Sequence, residues 1–182
     1  MVAAIHGQPD RLRDALRAIY EERATDDPLN ELVLKEGLAW REVEVLRTLR
    51  NHLLQIRPNY NVETVTSVLA RNSPVAGALW RLFDARFDPH LAGDRTEATA
   101  RAAEGVANAF AAVGSLVDDE VLRGVESLVN AAVRTNTYQR PERPVLAIKV
   151  DCAKVEGMVS PRPLFEIYVH SRLLEGIHLR GG

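Results

Sequence analysis

The stretch PVLAIKVDC, residues 144–152, decides the fold class because its apolar and polar side chains alternate one by one. An alternation of period two is typical of a strand with one buried face. The side predicted to face the core is apolar: Leu146, Ile148, Val150 and Cys152. Lys149 and Asp151 are predicted on the opposite side, so the chain contains a sheet whose apolar face needs a cover.

Two later runs repeat this alternation, LFEIYVHS at 164–171 and EGIHLRGG at 175–182. In the first run we expect an apolar side toward the core and a polar side toward solvent: Phe165, Ile167 and Val169 against Glu166, Tyr168 and His170. The second run is expected to alternate in the same way: Ile177 and Leu179 against His178 and Arg180. Three short strands are therefore predicted to form one sheet.

The sequence before residue 141 has the three-to-four-residue apolar spacing of amphipathic helices. The strongest run has a predicted buried stripe of five residues: Val43, Leu46, Leu49, Leu53 and Ile56. The first helix is predicted to bury a shorter stripe: Leu12, Leu16 and Ile19. Asn61 and Ser73 are predicted helix caps. We therefore predict an α+β fold in which a helical region, 1–140, packs on a small, incomplete, mostly antiparallel sheet that begins in 141–182, the two forming one structural unit.

Composition indicates a soluble globular protein, with 46% hydrophobic and 26% charged residues, a net charge of -2 and a pI near 6.2. This charge balance argues against a nucleic-acid partner. No apolar run reaches the ~18 residues of a membrane span. A single cysteine, Cys152, excludes an intrachain disulfide and favours the reducing cytoplasm.

The motifs of common catalytic, cofactor and metal sites are not recognisable in the sequence. The glycines are scattered, so no phosphate-binding loop is predicted, and the five histidines never fall in metal-ligand spacing. His170 and His178 are expected to share a polar strand face with Asp151 nearby, an arrangement more typical of surface histidines than of ligands. Cys152 is interpreted as a buried core thiol.

The stretch AAVRTNTYQRPERP, residues 131–144, is basic and has two interpretations. Arg134, Arg140 and Arg143 could bind a phosphate or an acidic partner beside Tyr138. The favoured interpretation is structural, because the stretch follows a predicted helix, whose C-terminal carbonyls and dipole attract arginines.

Four stretches in order carry a family resemblance: DPLNELVLKEGLAWREVEVLRTLRNHL at 27–53, RLFDARFDP at 81–89, VLRGVESLVNAAVRTNTYQ at 121–139 and FEIYVHSRLLEGIHLRGG at 165–182. The most specific pieces are RTNTYQ and EGIHLRGG. Together the stretches resemble the large NAD-specific glutamate dehydrogenases of bacteria, in the region that precedes and enters their catalytic portion.

The resemblance implies a role for the last strand. In that family the strand ending in His-Leu-Arg-Gly-Gly continues into a lysine- and glycine-rich turn that holds the glutamate carboxylates. His178, Arg180, Gly181 and Gly182 are therefore implied as the approach to the substrate site, and no residue of the chain is implied as catalytic. The whole enzyme is expected to be a homo-oligomer that oxidises L-glutamate with NAD to 2-oxoglutarate and ammonium.

The chain is expected to be a fragment, since full members of the family are several times longer. Alone, it is expected not to bind NAD, because no sequence of strand, glycine-rich turn and helix is recognised in it. It is also expected not to oxidise glutamate, because Arg180 is the only nearby positive charge expected on the last strand. The alternative is a stand-alone helical interaction or regulatory module without catalysis. The genomic reading frame beyond Gly182 distinguishes the two.

Overall fold

A computed structural model of the chain describes residues 9–139 and 145–181. This part of the chain contains seven α-helices: α1 Pro9–Tyr20, α2 Glu31–Lys35, α3 Trp40–Ile56, α4 Val62–Arg71, α5 Ser73–Phe87, α6 Arg95–Phe110 and α7 Leu116–Ala131. Two short 3-10 turns, Pro28–Asn30 and Cys152–Lys154, complete the helical structure. None of the helices in the described ranges is long and apolar enough to cross a membrane.

The helix starts follow local capping chemistry. The Asn61 side chain accepts a hydrogen bond from the Thr64 amide over 2.7 Å, which confirms the predicted cap of α4. Ser73 is not a cap, because it is the first residue of α5 and its hydroxyl donates to Glu36 over 3.0 Å. The α5 start relies instead on a proline in its first turn.

Helix α3 lies at the centre of the molecule, and every residue from 43 to 53 is buried. Its predicted apolar stripe is confirmed in the core, except that Ile56 is half-buried. In α1 the prediction is partly wrong, because Leu16 is 58% exposed while Ala15 and Ala18 are buried. The side of α1 that faces the core therefore carries alanines, and the larger Leu16 points outward.

The sheet has four antiparallel strands in the order β1-β2-β3-β4. Their bounds are β1 Ala132–Thr135, β2 Leu146–Asp151, β3 Phe165–Ser171 and β4 Leu174–Arg180. Strand β1 was not predicted, because α7 passes into it without a turn signal. The predicted α+β class is confirmed, and one hydrophobic core includes side chains of both α3 and β2.

The predicted orientation of β2 is confirmed, whereas that of β3 is wrong. Ile148 is fully buried against the helices and pairs with Tyr168, so Tyr168 lies on the core side of β3. The other core-side residues of β3 are also polar, namely Glu166 and His170. The three apolar residues are half-buried on the opposite surface: Phe165, Ile167 and Val169. A shift of one residue exchanges the two faces of a strand. In β3 the polar face lies inward because the helix surface that it contacts is also polar.

Strand β4 forms an edge of the described sheet and is exposed along its whole length. Ile177 pairs with Tyr168 and therefore lies on the helix side, yet it is 38% exposed. Leu179, on the same side, is 60% exposed. The described helices thus cover β2 and β3 but leave apolar side chains of β4 open.

Candidate functional site

The sheet surface away from the helices, called here the outer face, carries a row of four residues, one from each strand. Cα pairing places Arg134 opposite Lys149, Lys149 opposite Ile167, and Ile167 opposite His178. Directly paired residues share a face of the sheet. Two cations, Arg134 and Lys149, are therefore direct cross-strand neighbours.

A cavity of about 420 Å³ opens on this face. Eight residues line it: Arg134, Thr135, Asn136, Gln139, Ala147, Lys149, Ile167 and Arg180. The Lys149 ammonium lies 3.8 Å from the centroid of the Phe165 ring, and Phe165 pairs with Arg180 across the strands. Cations of two other strands, Arg134 and Lys149, therefore line the same cavity as Arg180.

Within the described residues, the side chains of the two cavity arginines, Arg134 and Arg180, make no ion pair and no hydrogen bond. By contrast, the Arg71 guanidinium donates two hydrogen bonds to the Asp118 carboxylate, over 2.8 Å and 2.5 Å. It thereby holds the pKa of Asp118 below its ordinary value. Cations that no carboxylate neutralises favour the binding of an anion.

The structural interpretation of the basic stretch is wrong for Arg134. Arg134 belongs to β1, and the carbonyls at the end of α7 accept hydrogen bonds from Arg86 instead. The Arg86 guanidinium lies 3.0 Å from the Ala132 oxygen. Arg140 and Arg143 lie outside the described residues.

Asn136 fixes the side of the cavity where β1 ends. Its side-chain oxygen accepts from the Ala147 amide over 2.7 Å, and its side-chain nitrogen donates to the Val145 oxygen over 3.1 Å. The Asn136 amide also donates to the Ala147 oxygen over 3.2 Å. These bonds extend the pairing of β1 with β2, so the cavity rests on ordered backbone.

A second polar group of residues lies between α3 and the core side of β3 and β4. We call it the interface cluster: Glu44, Arg47, Asn51, His52, Glu166, Tyr168, His170 and Glu175. His52 Nε2 lies 3.0 Å from Glu166, and the His52 and Tyr168 rings stack with centroids 4.8 Å apart and planes 9° from parallel. Buried polar groups require such partners, which is why the inverted register of β3 is tolerated.

Glu175 connects the exposed strand β4 to this cluster. Its carboxylate accepts hydrogen bonds from the Asn51 amide and from the Tyr168 hydroxyl, the latter over 3.0 Å. It also lies 3.3 Å from His170 Nδ1. Burial and the Glu175 carboxylate raise the pKa of Tyr168, which keeps its phenol protonated as a donor. The strand that carries His178 and Arg180 is thereby held in position on α3.

The fold separates the two histidines that the sequence predicted on one polar strand face. His178 lies on the outer face, whereas His170 is buried on the core side, so the two histidines do not share a face. Cys152 is a buried core thiol, as predicted, and burial raises its pKa. Gly181 is exposed after β4, and Gly182 lies outside the described residues.

Sequence reasoning missed the interface cluster and the Arg134–Lys149 pair. Glu44, Arg47, Thr48 and Asn51 recur at helical spacing, a pattern that ordinarily marks a solvent-exposed helix face. The one available signal was the matching polar side of β3. Among the described residues, no three His, Cys, Asp or Glu side chains are grouped to hold a metal ion.

Comparison with known proteins divides the chain into two matched regions. Residues 24–89 match the family described as glutamate dehydrogenase, helical motif 3. Residues 105–182 match the family described as bacterial NAD-glutamate dehydrogenase, catalytic domain. The first region covers the helices around α3, and the second contains α7 and the whole described sheet.

Three curated relatives are each called NAD-specific glutamate dehydrogenase. The protein of Halomonas elongata is 36% identical over 176 residues, covering 93% of this chain and 11% of the relative. That of Mycobacterium tuberculosis is 36% identical over 178 residues, covering 94% of this chain and 11% of the relative. That of Pseudomonas aeruginosa is 33% identical over 178 residues, with the same two coverages of 94% and 11%.

The chain matches a glutamate dehydrogenase helical motif first and a catalytic domain second, and the second match includes the cationic outer face. Together the two matches indicate a segment of a dehydrogenase. The chain belongs to the family of bacterial NAD-specific glutamate dehydrogenases. The resemblance stated from the sequence is therefore confirmed. The chain spans about a tenth of the length of these relatives, 11% in each case.

Proposed function

We propose that the chain forms part of an enzyme that converts L-glutamate, NAD and water to 2-oxoglutarate, ammonium and NADH. The observation that carries this proposal is the match of residues 105–182 to a catalytic domain, in the region that also holds the outer-face cavity. The chain supplies the helical layer and the first strands of a substrate and oligomerisation domain, with 1–140 and 141–182 acting as one unit.

His178, Arg180, Gly181 and Gly182 form the approach to the substrate site in this proposal. The support is that His178 and Arg180 lie on the cationic outer face and that β4 is exposed up to its end. A carboxylate substrate requires positioned cations, and the guanidinium of Arg180 suits that role. Glu175, which ties β4 to α3, acts as a positioning residue for this strand.

NAD is the cofactor of the whole enzyme in this proposal, and other parts of the enzyme hold it. Dinucleotide binding uses a strand, a glycine-rich turn and a helix within a parallel sheet. In the part of the chain that the structure describes, every strand pairing is antiparallel, which does not provide such a unit.

The same proposal makes the enzyme a cytoplasmic homo-oligomer. A free, buried thiol at Cys152 suits a reducing compartment. The open edge of β4 and the exposed Leu174 and Leu179 suit a subunit contact.

The test is steady-state kinetics of the full-length enzyme that contains this chain. Arg180→Gln is expected to raise the KM for L-glutamate at least roughly tenfold, since a lost charge-assisted hydrogen bond is worth ~1.5 kcal/mol or more. The KM for NAD should stay unchanged. Arg101→Gln, which removes the same charge from the exposed Arg101–Glu97 pair, is the control. A rise in the KM for NAD alone, or no change in either, contradicts the proposal.

A further inference from the structure

We propose that a second cavity, called here the helix-side cavity, binds a primary alkylammonium compound that also carries an uncharged hydrogen-bond acceptor. This cavity has a volume of about 420 Å³ and lies between α3, α5 and the segment after β1. Its lining includes Glu42, Trp80, Asp84 and Tyr138. The ammonium lies between the two carboxylates, and the acceptor lies against the Trp80 indole.

The first argument is a half-buried carboxylate that no cation neutralises. Among the described residues Asp84 makes no ion pair, and its Oδ1 accepts a hydrogen bond from the Tyr138 hydroxyl over 2.7 Å. Burial raises the pKa of Asp84, and the charge of Asp88 raises it as well. A cation beside this carboxylate stabilises its charged form.

The second carboxylate of the cavity, Glu42, repels the first. Its Oε2 accepts a hydrogen bond from the Ala39 amide over 2.9 Å and lies 3.8 Å from the Arg11 guanidinium, a long ion pair. Burial raises the pKa of Glu42, and the charge of Asp84 also raises it, so the two carboxylates lie within electrostatic reach of each other. A cation bound between them relieves this repulsion.

Arg41 also lines the cavity, but its guanidinium is directed toward a different side chain. It lies over the Trp40 ring, 5.3 Å from the ring centroid. The wall formed by Glu42 and Asp84 therefore remains acidic.

The free oxygens of the two carboxylates favour an ammonium over a guanidinium. Each carboxylate uses one oxygen within the protein, Asp84 Oδ1 and Glu42 Oε2. Among the described residues, the other oxygen of each has no hydrogen-bond partner. A guanidinium pairs best with both oxygens of one carboxylate. An ammonium is a compact group with three donors, so it can donate to two oxygens that belong to different carboxylates.

A buried donor in the same cavity requires an acceptor on the ligand. Trp80 is 7% exposed, and its indole N–H donates to none of the described residues. In that part of the chain, the fully buried side-chain atoms without a partner are His52 Nδ1, Arg57 Nε and His170 Nε2. Because the Trp80 nitrogen is not one of them, it is open to the cavity that Trp80 lines. Buried indoles usually find a hydrogen-bond partner.

The charge of the cavity disfavours a carboxylate as that acceptor. Burial raises the pKa of Tyr138, and the charges of Asp84, Asp88 and Glu42 raise it further, so the potential at the Tyr138 hydroxyl is negative. A hydroxyl or an amide carbonyl accepts a hydrogen bond without adding a negative charge. The ligand class is therefore an amino alcohol or an amino amide, and a lysine residue of a protein carries the same two groups.

The experiment is titration of the full 182-residue chain at constant ionic strength, followed by nuclear magnetic resonance of amide and indole N–H groups. The probes share a linear butane chain: aminobutanol with an ammonium and a hydroxyl at its ends, butylammonium without the hydroxyl, and butanediol without the charge. We expect aminobutanol to bind at least roughly tenfold more tightly than butanediol, because a hydrogen bond to a charged group contributes about that factor. Butylammonium should bind about threefold more weakly than aminobutanol, since it lacks the acceptor.

Three variants that each remove one negative charge locate the ammonium. Asp84→Asn keeps an acceptor for the Tyr138 hydroxyl, and Glu42→Gln keeps one for the Ala39 amide. Each should weaken aminobutanol binding about tenfold. Glu97→Gln, which removes a carboxylate of the exposed Arg101–Glu97 pair, should leave it unchanged. Equal binding by all three variants overturns the proposal.

Trp80 supplies a measurement that requires no change to the carboxylates. Its indole N–H signal, assigned by its loss in Trp80→Phe, should shift and saturate with aminobutanol in the unaltered chain. In Trp80→Phe, aminobutanol and butylammonium should bind equally, because the donor for the hydroxyl is gone. An indole signal that does not move, or aminobutanol binding no tighter than butanediol, contradicts the site.

Lysine with both backbone termini capped distinguishes two sources of the ammonium. Tighter binding of the capped lysine than of aminobutanol identifies a lysine side chain of a protein as the occupant, and the reverse order identifies a small amine. Both orders support the proposed chemistry, whereas binding of both probes no tighter than butanediol overturns it. Because no turnover is measured, a failure here leaves the proposed dehydrogenase function standing.

Discussion

At the residue scale, Asp27 links two buried cations to the start of the helical layer. Arg47, whose side chain is 1% exposed, donates to it over 2.6 Å and 3.0 Å, and Arg50 donates over 2.7 Å. Asp27 also caps the first 3-10 turn through the Leu29 amide. A buried charge left without its partner destabilises a fold strongly, so this carboxylate is a sensitive position.

Asp27→Asn is therefore expected to lower the free energy of unfolding by about 3 kcal/mol. Glu97→Gln breaks the exposed Arg101–Glu97 pair and should change it by less than about 1 kcal/mol. Urea unfolding followed by circular dichroism measures both variants. Equal stabilities of the two variants would show that Asp27 does not compensate the buried arginines.

The pH dependence of stability provides a second prediction at Asp27. Burial pushes the pKa of Asp27 up, but Arg47 and Arg50 outweigh burial and hold it below its ordinary value. A carboxyl whose pKa is lower in the folded state stabilises the fold above its unfolded value, about 3.9, and loses that contribution as the pH falls through the folded value. The stability gap between the unaltered chain and Asp27→Asn should narrow as the pH falls below about 5. A gap that stays constant or widens on acidification contradicts this sign.

At the element scale, the orientation of β3 shows where sequence reasoning reached its limit. The alternation in 164–171 correctly predicted a strand, but it did not determine which side faces the helices. Burial of Phe165, Ile167 and Val169 was the natural choice. The fold instead buries the polar side of β3, because α3 presents His52 to Glu166 and Tyr168. It also presents Asn51 to His170, and this complementarity depends on residues more than a hundred positions apart.

The corrected register predicts different costs for two isoleucines on paired strands. Ile148→Ala should destabilise the chain by about 3 kcal/mol, since Ile148 is fully buried in the core. Ile167→Ala should cost about 1 kcal/mol or less, because Ile167 is half-buried on the outer face. Thermal or urea unfolding compares the two. A larger loss for Ile167→Ala would restore the orientation expected from the sequence.

At the scale of the whole molecule, the sequence predicted the succession of elements better than their contacts. The helices with strong apolar spacing and the α+β class are confirmed, and local patterns carry this information. The Arg134–Lys149 pair could not be predicted, because β1 was not recognised and cross-strand pairing is a property of the assembled sheet. The interface cluster was missed because the polar residues of α3 and those of β3 each have the pattern of a solvent-exposed surface.

The exposed β4 edge leads to a prediction about assembly. Unpaired edge strands with apolar side chains pair with other chains unless they are blocked, so the isolated chain should self-associate. Leu179→Lys places a charge on this edge and should lower the associated fraction. Light scattering over a concentration series measures the mass, and a strict monomer at high concentration contradicts the prediction.

The central claim is that this chain contributes to a glutamate dehydrogenase but does not contain the whole reaction centre. It is tested most directly by measuring NADH formation from L-glutamate and NAD with two samples, the full-length enzyme that contains this chain and the chain alone. We predict turnover by the full-length enzyme, and none above the no-protein control by the chain alone, because NAD and glutamate must both be positioned at near-attack distance. NADH formation by the isolated chain, or a full-length enzyme that does not oxidise L-glutamate with NAD, would contradict the account.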